Sequence, residues 1–425
     1  MGAALTSLPV AATTVDTGSF FAIVLVAALA AILVATVPKR FAPPVVVLEL
    51  FLGILIGPEV LDLARSGDFI DFFSNLGLGM LFFFAGYEID FQRIKGRPLE
   101  LGAWGWLLSV GLAFGIGGIL AGLGVIVSFL YTGAAMATTA IGTLIPILRD
   151  NGELKTRFGT YLLAAGGAGE FGPILLVTLF FSTESPLREG GILIGFVALA
   201  LAVALLSVRL AWRGWPALER TFEASSQLAV RVTVVLVFGL VLLASNLGLD
   251  VLLGGFVAGL ITRTALKGHE LAVFESKLTA VGFGFFVPFF FVTSGIEFDL
   301  AALGSVTALA KLALFFALFL VVRGFPALLL YRNQLSLRDR AALAFYCATE
   351  LPLVVAITTI AIDAGKMRPS TAAGLVGAAM LSTLVFPFVA MALRKGTLDE
   401  EADRPDPTEP FPQGEGPLPQ PGLVG

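Results

Sequence analysis

Thirteen apolar runs, each long enough to cross a lipid bilayer, constrain this 425-residue chain more than any other feature. They cover 18–37, 42–61, 72–89, 100–120, 124–148, 157–182, 190–211, 229–246, 248–263, 279–296, 301–323, 339–362 and 369–394, with only a short link near Gly122–Gly124 between the fourth and fifth. A spanning helix needs about 20 mainly apolar residues. In lipid only helices and closed barrels satisfy the backbone, and runs this long are helices. Charged residues make up 14% of the chain, against roughly 25% in a soluble domain, so lipid must solvate the surface. The expected fold is an all-α polytopic membrane protein of about 13 transmembrane helices. A membrane domain over 1–396 precedes a tail, 397–425, rich in Pro, Gly, Asp and Glu, which reads as disordered.

Composition also removes several classes of function. The one cysteine, Cys347, excludes a disulfide framework, and the one histidine, His269, lies in a connecting stretch. A thiolate, zinc or haem centre is therefore not expected. No glycine-rich phosphate fingerprint and no nucleophile–base set is found, so neither an enzyme, nor a bound cofactor, nor a nucleic-acid partner is expected. The N-terminus lacks the basic region of a signal peptide.

Basic residues orient the chain. Assigned to loops or to the nearest run end, 22 Lys and Arg fall on one side, among them Arg323 and Arg394 at run ends. The other side receives Arg65, Arg188, Lys366 and Arg368. The positive-inside rule then places the N-terminus outside and the C-terminus in the cytoplasm, across the cell (inner) membrane.

The chain also repeats itself. Gly86-Tyr87-Glu88-Ile89-Asp90-Phe91 ends the third run and Gly295-Ile296-Glu297-Phe298-Asp299-Leu300 the tenth, 209 residues later. Ala137-Thr138-Thr139 matches Ala348-Thr349-Glu350 at an offset of 211, and Gly53 and Gly57 match Gly255 and Gly259 more loosely at 202. Matched runs stand seven spans apart. Seven is odd, so partners cross the bilayer in opposite directions, which is an inverted-topology repeat.

Ionisable groups at mid-membrane cost roughly 2.5–3.5 kcal/mol on insertion scales, so they persist where they face a cavity or a partner. Four are placed there: Glu49, Glu170, Lys311 and Glu350. Glu170 follows a stretch of small residues that admits a close neighbouring helix, and Pro173 leaves the carbonyl of Gly169 without its usual donor. A carboxylate beside free carbonyls suits a dehydrated alkali cation, and one site that takes either a proton or a cation is a minimal exchanger. The competing reading is a neutral glutamic acid bonded to a neighbouring helix. Glu350 precedes Pro352, which disfavours helix there, and the matching stretch in the fifth run offers the hydroxyls of Thr138, Thr139 and Thr143. Two interrupted helices are expected to cross near the midplane, with Glu350 and Thr349 at the crossing and Glu350 balancing half-helix dipoles; a ligand role for Glu350 stays open. Glu49 and Lys311 are accessory candidates, and Lys311 is read as reaching toward the interface. Glu88, Asp90, Glu297 and Asp299 read as helix-end markers.

These residues carry a resemblance. Leu48-Glu49-Leu50-Phe51-Leu52-Gly53-Ile54-Leu55-Ile56-Gly57-Pro58, the two Gly-x-Glu-x-Asp helix ends and Leu253-Gly254-Gly255-Phe256-Val257-Ala258-Gly259 resemble motifs of the cation:proton antiporter superfamily, in its Na+/H+ and K+/H+ exchanger branch. The likeness covers nearly all of 18–394. It implies a thirteen-helix homodimer in which a core domain moves against a dimerisation domain, with unwound helices crossing at Thr138–Thr139 and near Glu350. It implies exchange of Na+ or K+ for protons, with Glu170 as the cation- and proton-binding acid and Thr138 and Thr139 completing the shell. Relatives carry Asp-Asp or Asn-Asp where this chain has Gly169-Glu170, and often Arg or Gly-Gly where it has Ala348-Thr349. One acid in place of two points to electroneutral exchange. A gated cation channel and a non-transporting membrane sensor are the alternatives on the same scaffold.

Overall fold

The computed structural model describes residues 16–37, 43–89, 94–180, 227–247, 251–265 and 269–395, with scattered positions between 191 and 202. Its helices are α1 (Thr17–Thr36), α2 (Val45–Ile56), α3 (Asp68–Glu88), α4 (Arg97–Gly122), α5 (Phe129–Met136), α6 (Ile141–Asp150), α7 (Arg157–Phe180), α8 (Leu228–Asn246), α9 (Val251–Ala265), α10 (His269–Val281), α11 (Val287–Ile296), α12 (Val306–Phe319), α13 (Phe325–Leu330), α14 (Leu337–Cys347), α15 (Pro352–Asp363) and α16 (Pro369–Arg394). Among the described residues, seven helices or stacked helix pairs are long and apolar enough to cross a membrane, and four shorter apolar segments accompany them. The run expected at 190–211 lies outside the described residues apart from isolated positions, as do Asp90, Phe91 and the tail 397–425.

Local sequence explains the starts and interruptions. Asp16, Ser305 and Ser336 cap α1, α12 and α14 by accepting N–H groups of the first turn, which would otherwise lack partners. Pro288 and Pro326 stand near the starts of α11 and α13, and each follows a π-helical segment, Gly282–Phe286 and Leu320–Gly324. A proline supplies no N–H to the carbonyl four residues back, and the wider π turn absorbs the mismatch.

The helices sort into two bundles. In one, α3 packs most heavily on α9, α2 on α11, α8 on α9, and α3 on α11. In the other, α4 packs on α7 and α5, and α16 on α12 and α14. Contact between them is sparser: α3 meets α6, α9 meets α7, and α2 meets α16.

The repeat is visible in the helix contacts. A Cβ on Gly53 would collide with the carbonyl oxygen of Val292, and one on Gly295 with that of Leu50. Likewise a Cβ on Gly259 would collide with the carbonyl of Phe83, and one on Gly86 with that of Phe256. The α2–α11 joint is thus the α9–α3 joint built a second time. The geometry corrects the glycine alignment. Gly53 and Leu50 play the parts of Gly259 and Phe256, an offset of 206 rather than 202. Glycines spaced four apart look alike after a one-turn slip, and only the facing carbonyls fix the register. At the centre, Gly77 meets the Phe286 carbonyl. Those positions are themselves 209 residues apart, so equivalent positions touch, as they must on a two-fold axis.

Gly86→Ala is expected to force α3 and α9 apart and cost about 1–3 kcal/mol, read as a lower melting temperature in detergent. Gly111→Ala, with nothing within 4 Å of the added methyl, is the control and is expected to melt like the parent.

Candidate functional site

Two helices break at equivalent places. α5 ends at Met136 and α6 begins at Ile141, while α14 ends at Cys347 and α15 begins at Pro352. The unwound stretches cross, as expected from Thr138–Thr139 and Glu350. Every unwound polar group in a membrane interior needs a partner, and the two stretches provide partners for each other. The Ala140 N–H donates to the Thr349 carbonyl at 2.8 Å, and the Thr139 hydroxyl to the Cys347 carbonyl at 2.6 Å. Each is also held by the long helix that follows it in its own half. The Thr139 N–H donates to the Gly169 carbonyl of α7 at 3.0 Å, and the Glu350 N–H to Ser382 Oγ of α16 at 3.0 Å. The Glu350 carbonyl accepts from the Thr383 hydroxyl at 3.1 Å. Pro173 does sit inside α7, and the Gly169 carbonyl it releases is taken by the crossing.

Arg323 is the largest departure from the sequence reading. It was assigned to the basic side at a run end, yet it is 3% exposed and inside the fold. The helix runs on past 323 to Leu330, and the π segment ahead of Pro326 carries Arg323 into the crossing. Its Nε and Nη2 donate to Thr139 Oγ1 at 2.9 and 2.7 Å, its Nη1 to Ser109 Oγ at 3.2 Å, and its Nη2 to the Ala165 carbonyl at 3.2 Å. A Cβ on Gly169 would collide with Nη2. The space beside Gly169 is therefore filled by a guanidinium. Glu350 is fully buried beside Arg323 and Thr138, next to the start of α15, whose dipole favours negative charge. Thr138 itself donates to the Ala135 carbonyl at 3.1 Å, and Thr349 to that of Phe345 at 3.1 Å.

Glu170 lies one residue beyond Gly169 on α7 and is 2% exposed. One carboxylate oxygen takes the N–H of Gly142 at the start of α6, where the half-helix presents its positive end. The other, Oε2, has no hydrogen-bond partner among the described residues. Glu88, read from sequence as a helix-end marker, lies close enough for its charge to act on Glu170.

The profile of the family described as "Sodium/hydrogen exchanger, transmembrane" matches residues 24–393. The chain belongs to that family. Its members are transporters, not enzymes. This exchanger-family chain is 29% identical to the Na(+)/H(+)-K(+) antiporter GerN of Bacillus cereus, over 63% of its own length and 68% of GerN. It is 25% identical to YjbQ of Bacillus subtilis over 84% of its length, and spans 60% of that relative. The sodium proton antiporter MjNhaP1 of Methanocaldococcus jannaschii has a similar fold, with a TM-score of 0.62 at 18% identity, covering 90% of this chain and 98% of that one.

The remaining candidates of this exchanger-family chain stand apart from Glu170. Glu49 is 3% exposed on α2, and its Oε2 has no hydrogen-bond partner among the described residues. Lys311 sits little more than a turn into α12, because 301–305 precede the helix. Its ammonium donates to Ser370 Oγ at 3.2 Å and Thr371 Oγ1 at 2.9 Å in the first turn of α16, so it reaches for the helix end.

Two features sit at opposite ends of the molecule. At one end a cavity of about 700 Å³ opens between α3, α9 and α11 of one bundle and α15 of the other. Asp71, Glu297 and Asp363 line its mouth, and Leu78, Phe290 and Ala356 lie deeper. The Ser66 hydroxyl stands between Glu297, 2.6 Å away, and Asp71, and its one proton is shared by the two. At the other end, Arg394 is fully buried. Its Nη1 donates to Asp339 Oδ1 at 2.7 Å, its Nε lies 3.6 Å from Glu153 Oε1, and the guanidinium stands 4.1 Å over the Phe158 ring. That cluster ties the last turn of α16 to the start of α14 and to the link between α6 and α7.

Proposed function

We propose that this chain is a secondary active transporter that exchanges a monovalent cation, Na+ or K+, for protons, with Glu170 occupied by each in turn. The observation that carries the reading is the placement of Glu170. It is a buried carboxylate with an open oxygen, at the positive end of a half-helix, on the face where the two bundles meet. Alkali cations prefer oxygen ligands, and a carboxylate withdrawn from water favours a bound counter-charge over a bare anion. The names of the relatives agree with this chemistry.

Thr138 and Thr139 belong to the proposal as neighbouring oxygen ligands. Thr139 Oγ1 is held by Arg323 in the arrangement described, so it ligates a cation only on exchanging that partner. Glu350 and Thr349 serve as structural members of the crossing, with Arg323 as counter-charge. Alternating access follows from movement of the α4–α7 and α12–α16 bundle against the other across their sparse contact, and the cavity between them is the route from the face opposite the basic residues. That basic face is cytoplasmic, residues 1–396 form the exchanging domain, and 397–425 form the tail. The outer face of α1, where Phe21, Leu25 and Ile32 are exposed, is offered to a second copy in a homodimer. One proton leaves for each cation bound, so the exchange is electroneutral.

The test uses purified protein in liposomes carrying a pH gradient. Adding Na+ or K+ is expected to collapse the gradient at a rate that an imposed membrane potential does not change. Cation current without proton movement would favour a channel instead, and no movement of either ion would favour a sensor.

A further inference from the structure

Glu170 is not the only carboxylate delivered to the bundle contact. Residues three apart on a helix share a face, so Gly167 and Glu170 look the same way from α7. A Cβ on Gly167 would lie 3.3 Å from Ile89 Cδ1, so that face meets the C-terminal end of α3. A second contact brings the same two places together. Gly86 packs on the backbone of Phe256 in α9, and the Phe256 ring stacks on Phe171, the neighbour of Glu170, at 5.1 Å between centroids. Between Gly86 and Ile89 stands Glu88, whose charge acts on Glu170.

We propose that Glu88 is a second carboxylate of the exchange site, sharing with Glu170 the proton or the cation that occupies it. The proposal rests on the reading of Glu170 as the exchange group. Two carboxylates whose charges act on each other repel unless something positive lies between them. A proton on one, or an alkali cation bridging both, removes the repulsion, and the open Oε2 of Glu170 is the oxygen left to receive it. The pair carries one proton or one cation at a time, so exchange stays one for one. Glu88 stands in the bundle built on α3 and α9, and Glu170 in the other. The pair is therefore assembled only when the bundles sit as they do here, and sliding one along the other takes Glu170 away from its partner and lowers its hold on the ion. Other charges surround the pair. Arg323 lies against Gly169 and Glu350 lies beside Arg323. Arg263 and Glu275 act on the adjacent Tyr87, with Arg263 5.6 Å from the ring centre.

The test compares Glu88→Gln, Glu88→Asp and Glu170→Gln with the parent in the liposome exchange assay. Glu88→Gln is expected to raise the KM for the cation about tenfold, the loss of about 1.4 kcal/mol of binding, while the maximal rate stays within about twofold. Glu88→Asp is expected to restore most of the affinity. A KM unchanged in Glu88→Gln, with exchange abolished in Glu170→Gln, overturns the role of Glu88 and leaves that of Glu170 standing. Exchange that survives in Glu170→Gln overturns both. If Glu88→Gln does not reconstitute, the rise in melting temperature on adding Na+ or K+ in detergent, which reports binding directly, is measured on detergent-purified Glu88→Gln and the parent. A cation concentration for half-maximal stabilisation about tenfold above that of the parent supports the proposal, and an identical one overturns it.

Discussion

Glu170→Gln is expected to reduce cation-driven proton movement to the level of protein-free liposomes while leaving the protein folded. Glutamine keeps the size of the side chain and an oxygen that can accept from Gly142, so the helix contacts that place residue 170 survive. It has no proton to give up near neutral pH and no negative charge to hold a cation. A purified variant that melts close to the parent and shows no exchange locates the defect in the ion chemistry. Glu170→Asp keeps the charge but draws it back by one methylene from the start of α6, and is expected to retain reduced exchange. Full exchange in Glu170→Gln would show that the transported proton never resides on this side chain.

The largest effect on stability is expected from Arg394→Ala. The guanidinium is fully buried against Asp339 and Glu153 and covers the Phe158 ring. Its removal takes the guanidinium away from both acids and opens a space over the ring. Breaking a buried ion pair by removing one partner costs about 3–5 kcal/mol. Arg394→Lys is expected to recover only part of this, because a single ammonium cannot fork between Asp339 and Glu153 while lying flat on Phe158. Thermal unfolding in detergent, with the tail present in every variant, measures the difference. A melting temperature equal to that of the parent would mean that the cluster does not hold the three elements together.

Much of the scaffold was legible because lipid imposes simple demands. Apolar runs declared the helices, and Pro352 together with the Thr138–Thr139 stretch declared the two breaks, since backbone that leaves the helix in lipid needs hydroxyls and partner strands close by. Glu170 stood out for the same reason, as a charge placed where charge is expensive. Arg323 did not, because its run was ended at the arginine. The apolar residues from Phe325 to Leu330 continue the helix, and they are the signal that places Arg323 inside it. Glu88 was concealed by its position at a helix end, where acids are common. Only the packing of Ile89 on Gly167 and of Gly86 on Phe256 shows that this end abuts Glu170. The glycine register slipped by one turn because sequence similarity does not record which carbonyl a glycine faces.

The contact on the two-fold axis has a thermodynamic consequence. If the halves were identical, the two arrangements of the proposed alternating access, one open to each side of the membrane, would be related by the axis and equal in free energy. At the axis itself, Gly77 of the first half meets Phe286 of the second. The halves are thus unlike at their own point of contact, and no symmetry makes the two proposed arrangements equal in free energy.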